Sequence, residues 1–251
     1  MYVPLWVKSN HSFLEGASHP EELVERAHAL GLDTIALTDR DGVYGAVKAY
    51  VKAKELGIKL IIGSQITLTP DLERNEAEQV EQNIVLLAKT RAGYASLCRL
   101  ISIGRARKEK GKSLVSLEEV QAAHHDLIAL CAEPTLLAAL KSAFGPDLYA
   151  LYTCHLTAEE RARCELLRAR ARALSVPLVA STEVLYHDAA RRPLQDVVTC
   201  IRLGTTLRSA GTRIKPNAEH DLKPDAVMRQ RFAEEPDALD NSRRIARACS
   251  F

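Results

Sequence analysis

Short, nearly continuous apolar runs alternate along this chain with longer stretches whose apolar positions recur every three or four residues. Thr34–Thr38, Leu60–Gly63, Ile84–Leu87, Leu127–Leu130 and Pro177–Ala180 have the length and two-sided apolarity of strands buried on both faces. Pro4–Val7 adds a plausible first strand. The helical period predicts helices from Val43 to Leu56, Gly93 to Ile103, Leu117 to His124, Ala158 to Leu174 and Asp188 to Ile201. A further helix opens at Ser18, where Ser18-x-x-Glu21 has the form of a capping box. It carries Leu23, Ala27 and Leu30 as a stripe and stops at Gly31. Such strand–helix alternation predicts an α/β fold with a parallel sheet covered by helices. Closed into a ring it is a TIM-like barrel, whose functional groups gather at the carboxyl ends of the strands. An open doubly wound sheet is the alternative, but no G-x-G-x-x-G follows the first strand.

The bulk numbers change this picture little. A chain of 251 residues can bury one sizeable core, and 47% apolar with 26% charged residues is ordinary for a globular chain. A formal charge of +2 does not by itself call for nucleic acid. No apolar run approaches the roughly 18 residues of a membrane span, and the first residues lack a signal-peptide pattern, so a cytoplasmic protein is expected. The six cysteines form no C-x-x-C pair and read as reduced thiols. The basic connection containing Arg105, Arg107, Lys108, Lys110 and Lys112 is either a solvated loop or a phosphate-contacting patch. The Arg- and Glu-rich stretch from Ala158 to Leu174 reads as an outer helix laced with ion pairs.

Just after the predicted strands the chain offers Lys8, Glu15, Asp39-Arg40-Asp41, Gln65, Glu133 and Glu183. Two readings of these residues stay open. Converging carboxylates can bind a hard cation, or they can be neutralised by the lysine and arginine among them without any ion. Nucleophilic catalysis has thin support, since no G-x-S-x-G or P-loop is present. Among the histidines, His19 and His28 fall on the first helix and His124-His125 precede a strand. His11 and His187 lie nearer the expected mouth and are the candidates for a displaced ligand.

Four motifs carry a resemblance. His11-Ser12-Phe13-Leu14-Glu15-Gly16-Ala17-Ser18 and Thr38-Asp39-Arg40-Asp41-Gly42-Val43-Tyr44-Gly45 are the first two; Ile62-Gly63-Ser64-Gln65 and Ala180-Ser181-Thr182-Glu183-Val184-Leu185-Tyr186 follow. Together they resemble the PHP domain (polymerase and histidinol phosphatase) at the front of bacterial C-family DNA polymerases, and the string from His11 to Leu23 is most similar to the error-prone, ImuC-type branch. Leu86–Ile101, Leu194–Ile201 and Ile245–Phe251 are similar too, so nearly the whole chain is covered. The resemblance implies a distorted TIM-like (β/α)7 barrel of the PHP type, with residues 1–251 forming one such domain of a longer polymerase. It also implies a ligand set at Trp6, Lys8, Glu15, Asp39, Arg40, Gln65, Asn83, Glu133, Glu183 and Leu185. Here the His-x-His pair reads Trp6 and Lys8, the T-D-H-D-G histidine is Arg40, the I-G-A-E glutamate is Gln65, and the D-V-H aspartate and histidine are Glu183 and Leu185.

Trp6 and Leu185 cannot coordinate a metal, and Lys8 and Arg40 put positive charge where cations would sit. The expectation is therefore a domain without cofactor, in which Lys8 and Arg40 act as counter-charges to Glu15, Glu183 and Glu133. By resemblance its partners are the remaining polymerase domains, DNA through the parent protein, translesion accessory proteins and the sliding clamp, with no membrane. A metal-dependent 3′–5′ exonuclease or phosphoesterase, and a DNA or protein docking module, are the competing functions.

Overall fold

The computed structural model describes residues 1–68 and 82–250, which leaves Phe251 of the closing run outside the described residues. Six strands are hydrogen-bonded in chain order: β1 (Thr34–Leu37), β2 (Lys59–Thr67), β3 (Asn83–Ala88), β4 (Leu127–Cys131), β5 (Leu148–Tyr152) and β6 (Leu178–Ala180). The N-terminal segment joins the two edges. Ala36 and Thr38 donate their amides to the carbonyls of Pro4 and Val7, while Lys8 donates to Val184 and Val184 to Trp6. The sheet therefore closes as the distorted TIM-like α/β barrel that the resemblance implies.

Its strands are not all parallel. The parallel expectation holds for β1–β2, β4–β5 and β5–β6, but β3 runs antiparallel to both neighbours. A strand buried on both faces has the same apolar pattern in either direction, so sequence periodicity could not reveal the reversal. One result is that Asn83, at the start of β3, pairs with Thr67 at the end of β2.

Ten helices surround the sheet among the described residues: α1 (Pro20–Ala29), α2 (Ala46–Leu56), α3 (Arg91–Ala106), α4 (Leu117–Ala122), α5 (Leu137–Phe144), α6 (Ala158–Ala173), α7 (Arg192–Arg202), α8 (Leu207–Ala210), α9 (Asp225–Arg231) and α10 (Pro236–Ala248). The start of α1 corrects the capping expectation. His19 is the cap residue, its amide donates to Glu22 at 2.8 Å, and Pro20 supplies the preset first-turn φ. The Ser18 hydroxyl turns instead to His187, at 2.7 Å from Nδ1. Strand β5 and helices α5, α8, α9 and α10 were not foreseen.

Successive residues of β3 point to opposite sides. Val85 and Leu87 join Leu5, Ala36, Ile61, Ile128, Leu130, Leu151 and Val179 inside the barrel, where Ile245 and Ala246 of α10 and Cys249 just after it pack against them. Ile84 and Leu86 face outward onto the layer of α3, α5 and α6. Each fully buried side chain of this kind contributes roughly 1.5–3 kcal/mol of transfer free energy. No helix among the described residues is long and apolar enough to cross a membrane.

Candidate functional site: an ion-pair cage at the barrel mouth

The residues that follow the strands converge on a cleft of about 970 Å³ at one end of the barrel. Trp6, Lys8, Glu15, Arg40, Gln65, Asn83, Glu133, Glu183 and Leu185 all line it. Nine of the ten residues placed there from the sequence are thus brought together.

Lys8 is the hub. It is 3% exposed, and its Nζ lies 3.0 Å from Glu15 Oε2 and 2.7 Å from Glu183 Oε1. The other oxygen of Glu15 meets the Arg40 guanidinium, with Arg202 at 3.7 Å. The other oxygen of Glu183 receives Lys215 at 2.7 Å. All four carboxylate oxygens thus face a cation. Burial alone would push both acids up. Against it, Lys8 and Arg40 hold Glu15 below the usual carboxylate range, and Lys215, Lys8 and His220 hold Glu183 well below it. Burial opposes the charge on Lys8, but Glu183 and Glu15 outweigh it and keep the amine above its ordinary value.

Trp6 fills the wall beside this hub. Its indole N–H donates to Gln65 Oε1 at 2.8 Å, and the Lys8 amine stands 5.6 Å from the ring centre. Gln65, lacking charge, serves as the acceptor for this half-buried indole. Leu185 is 2% exposed and packs with Ala17 and Tyr186.

Two histidines that the sequence reading passed over, His155 and His220, stack here with ring centres 4.2 Å apart. The Glu183 amide donates to His155 Nε2 at 2.9 Å, so Nδ1 carries the proton and donates to Glu160 at 2.6 Å. Burial pushes Glu160 up, but hydrogen bonds from His155 and Thr153 pull it down to about 2. His220 Nδ1 meets the Glu183 carbonyl at 2.9 Å, and burial together with Lys215 pushes its imidazole down to about 3. Both ring nitrogens of His155 and Nδ1 of His220 are committed to protein partners. His155 follows β5, so recognising that strand would have flagged it. Lys215 and His220 lie in irregular chain, positioned by bonds from Arg192 to the Lys215 carbonyl and from Asn217 to the His155 carbonyl.

Several expected residues take other roles. Asp39 does not reach the cleft. It is 1% exposed and accepts from the Ser9 amide (2.6 Å), the Ser9 hydroxyl (2.8 Å) and the Ser12 hydroxyl (2.7 Å). Asp41 likewise accepts from the amide and hydroxyl of Thr67. These short acids tie the loop that presents Glu15 to the ends of β1 and β2. His11 and His187, considered as displaced ligands, line no part of the cleft. The Glu133 carbonyl accepts from the Leu136 amide, and its carboxylate lines the cleft outside the Lys8 cage.

Gly16 lets the same loop close. A Cβ there would lie 2.0 Å from the Ser9 carbonyl oxygen, a backbone atom that cannot swing away. Gly16→Ala is therefore expected to cost about 1–3 kcal/mol by overpacking. Urea denaturation measures it, and an unchanged midpoint would show that the loop yields freely.

The basic connection after α3 is largely committed to the protein itself. Arg105 donates twice to the Asp41 carbonyl, at 3.1 and 2.8 Å, and stands over the Tyr44 ring at 6.0 Å. Arg107 pairs with Glu119 at 2.6 Å, and Lys112 lies 3.6 Å from Glu109. Lys108 and Lys110 are exposed. Arg105 thus ties the end of α3 to the loop after β1.

These donors do not fit a divalent metal cluster. Such a cluster needs free carboxylate oxygens and imidazole lone pairs, whereas here ammonium and guanidinium groups already occupy the carboxylates of Glu15 and Glu183. A divalent ion at ~4 Å from the Lys8 ammonium would meet a repulsion of several kcal/mol at an effective dielectric near 20. Among the described residues no group of three or more potential ligands is arranged to hold an ion.

A barrel closed by its N-terminal segment, with a polar mouth built from these motifs, defines a PHP-type fold. The chain belongs to the PHP domain family, whose profile matches residues 5–183; Lys215 and His220 fall outside that span. It is 40% identical over 261 residues to an error-prone DNA polymerase of Anaeromyxobacter dehalogenans, an alignment covering all of this chain and 22% of that protein. It is 36% identical over 259 residues to error-prone DNA polymerase 1 of Agrobacterium fabrum, covering all of this chain and 23% of that protein. The chain thus spans less than a quarter of the length of these relatives. Solved structures share the fold. A candidate metal-dependent phosphoesterase from Bifidobacterium adolescentis superposes with a TM-score of 0.54 at 16% identity, covering 92% of this chain and 95% of that one. A Chromobacterium violaceum amidohydrolase gives 0.55 at 14% identity, covering 74% of this chain and 88% of that one.

Proposed function

We propose that this chain is the N-terminal PHP domain of an error-prone C-family DNA polymerase, with an ion-pair cage in place of the metal centre. In this reading the domain is a non-catalytic scaffold for the polymerase. DNA, accessory translesion proteins and the sliding clamp meet it only through the parent protein, in the cytoplasm. The observation that carries the reading is the Lys8 amine held between Glu15 and Glu183, at 3.0 and 2.7 Å. A fixed cation in that position supplies the charge that a metal would supply, and it cannot activate water or act as a Lewis acid.

Elemental analysis of the purified chain is expected to find far less than one zinc, manganese or iron per molecule. A 3′-labelled single strand should survive incubation with added Mn²⁺. Stoichiometric metal, or Mn²⁺-dependent cleavage abolished by Glu183→Ala, would instead establish a metal-dependent phosphoesterase.

A further inference from the structure

Helix α2 is amphipathic in the reverse sense. Ala46, Ala49 and Ala53 face the protein, whereas Val47, Tyr50 and Val51 turn outward with exposures of 73%, 55% and 60%. Those three sit at i, i+3 and i+4, the spacing of one helix face. Beside them runs an apolar groove of about 700 Å³, floored by Ile58, Leu60 and Ile62 and flanked by Tyr94. A contiguous apolar face of this kind on a helix otherwise packed through alanines marks a site of protein contact.

The placement of Ser250 bears on the occupant. Ser250 lines the groove, anchored there by its amide, which donates to the Lys89 carbonyl at 2.8 Å. The relatives run to more than four times this length. We propose that in a polymerase-length protein the polypeptide following residue 251 turns back at Ser250 and packs an apolar helix or strand edge into this groove, against Val47, Tyr50 and Val51. The α2 face is then the seam between the PHP barrel and the rest of the polymerase, on a different surface from the ion-pair cage. The exposed Lys54 at the groove rim favours a partner segment that carries a carboxylate beside its apolar residues.

This inference rests on the polymerase reading, and its test is separate, because metal analysis bears on the cage and cysteine labelling bears on the seam. Val47→Cys and Arg170→Cys, the latter on the exposed side of α6, are placed in the 251-residue chain. They are also placed in a chimaera in which these residues replace the matching segment of the Anaeromyxobacter dehalogenans polymerase. Maleimide labelling is read peptide by peptide. Position 47 is expected to label at least tenfold more slowly in the chimaera than in the short chain, with position 170 unchanged. Equal labelling at 47 in both proteins, or equal slowing at both positions, overturns the proposal. So does slow labelling at 47 in the short chain accompanied by a dimer mass, since the occupant would then be a second copy. Val47→Asp/Val51→Asp gives an independent reading. It should leave the melting temperature of the short chain within a few degrees and lower that of the chimaera; equal effects on both would count against the seam.

Discussion

Replacing Lys8 by methionine is expected to lower the stability of the domain by about 3–5 kcal/mol, the cost of removing one partner from a buried charge pair. At this chain length that is a fall of roughly 6–20 °C in melting temperature. The volume of the side chain is nearly kept, so the loss is electrostatic. Glu15 would keep Arg40 and the more distant Arg202, and Glu183 would keep Lys215, but the oxygens now held by Lys8 at 3.0 and 2.7 Å would lose that partner.

The deficit should depend on pH in a defined direction. Glu15 and Glu183 are depressed in the folded state, so their contribution is complete above the unfolded value of about 4.3 and drains away as pH falls through their folded values. The Lys8 amine is raised, so its contribution is complete below about pH 10.4 and is lost as pH climbs past its folded value. The gap between the wild type and Lys8→Met should thus be widest near neutrality and narrow in acid, where the orphaned acids take up protons. Lys8→Met/Glu183→Gln should recover part of the loss, because neutralising the stranded group removes much of its desolvation cost. Thermal melts from about pH 2 to about pH 11 check all of this, and a gap independent of pH across that whole range would refute the charge-cage account.

Asp39→Ala is the second large effect, expected at about 3 kcal/mol. Three hydrogen bonds to a buried carboxylate are lost together, each of a kind worth roughly 1.5–3 kcal/mol singly but not additively. The groups stranded are the Ser9 amide and the hydroxyls of Ser9 and Ser12. Asp39→Asn keeps an acceptor for the Ser9 amide and offers an N–H to the Ser9 hydroxyl, so it should cost less than half as much. Burial raises the Asp39 carboxyl despite these bonds, which is a further reason why the neutral amide is tolerated. If alanine and asparagine prove equal in urea denaturation, the loop does not depend on this acid.

Much of the site was legible because its residues sit in short motifs directly after strands with strong apolar runs. Lys8, Glu15, Arg40, Gln65 and Glu183 were all placed at the mouth in this way. What stayed hidden has definite physical causes. Strand β5, Leu148–Tyr152, carries two half-buried tyrosines and follows a Gly-Pro-Asp turn, so its apolar signal was weaker than that of its neighbours. Missing it meant missing His155. Lys215 and His220 arrive from chain without periodicity, fixed by hydrogen bonds to distant elements that no local pattern encodes. Asp39 was misplaced for a different reason: its motif position suggests a ligand, but a three-donor nest turns the carboxylate into the scaffold.

The interlocking of Lys8, Arg40 and Lys215 with two shared acids also sets a threshold against change. Exchanging any one of these cations for an imidazole would strip charge from an acid it now pairs with. Each single replacement in the cage is therefore expected to strand a buried carboxylate, and paired replacements of a cation with its acid are expected to be tolerated better than either alone.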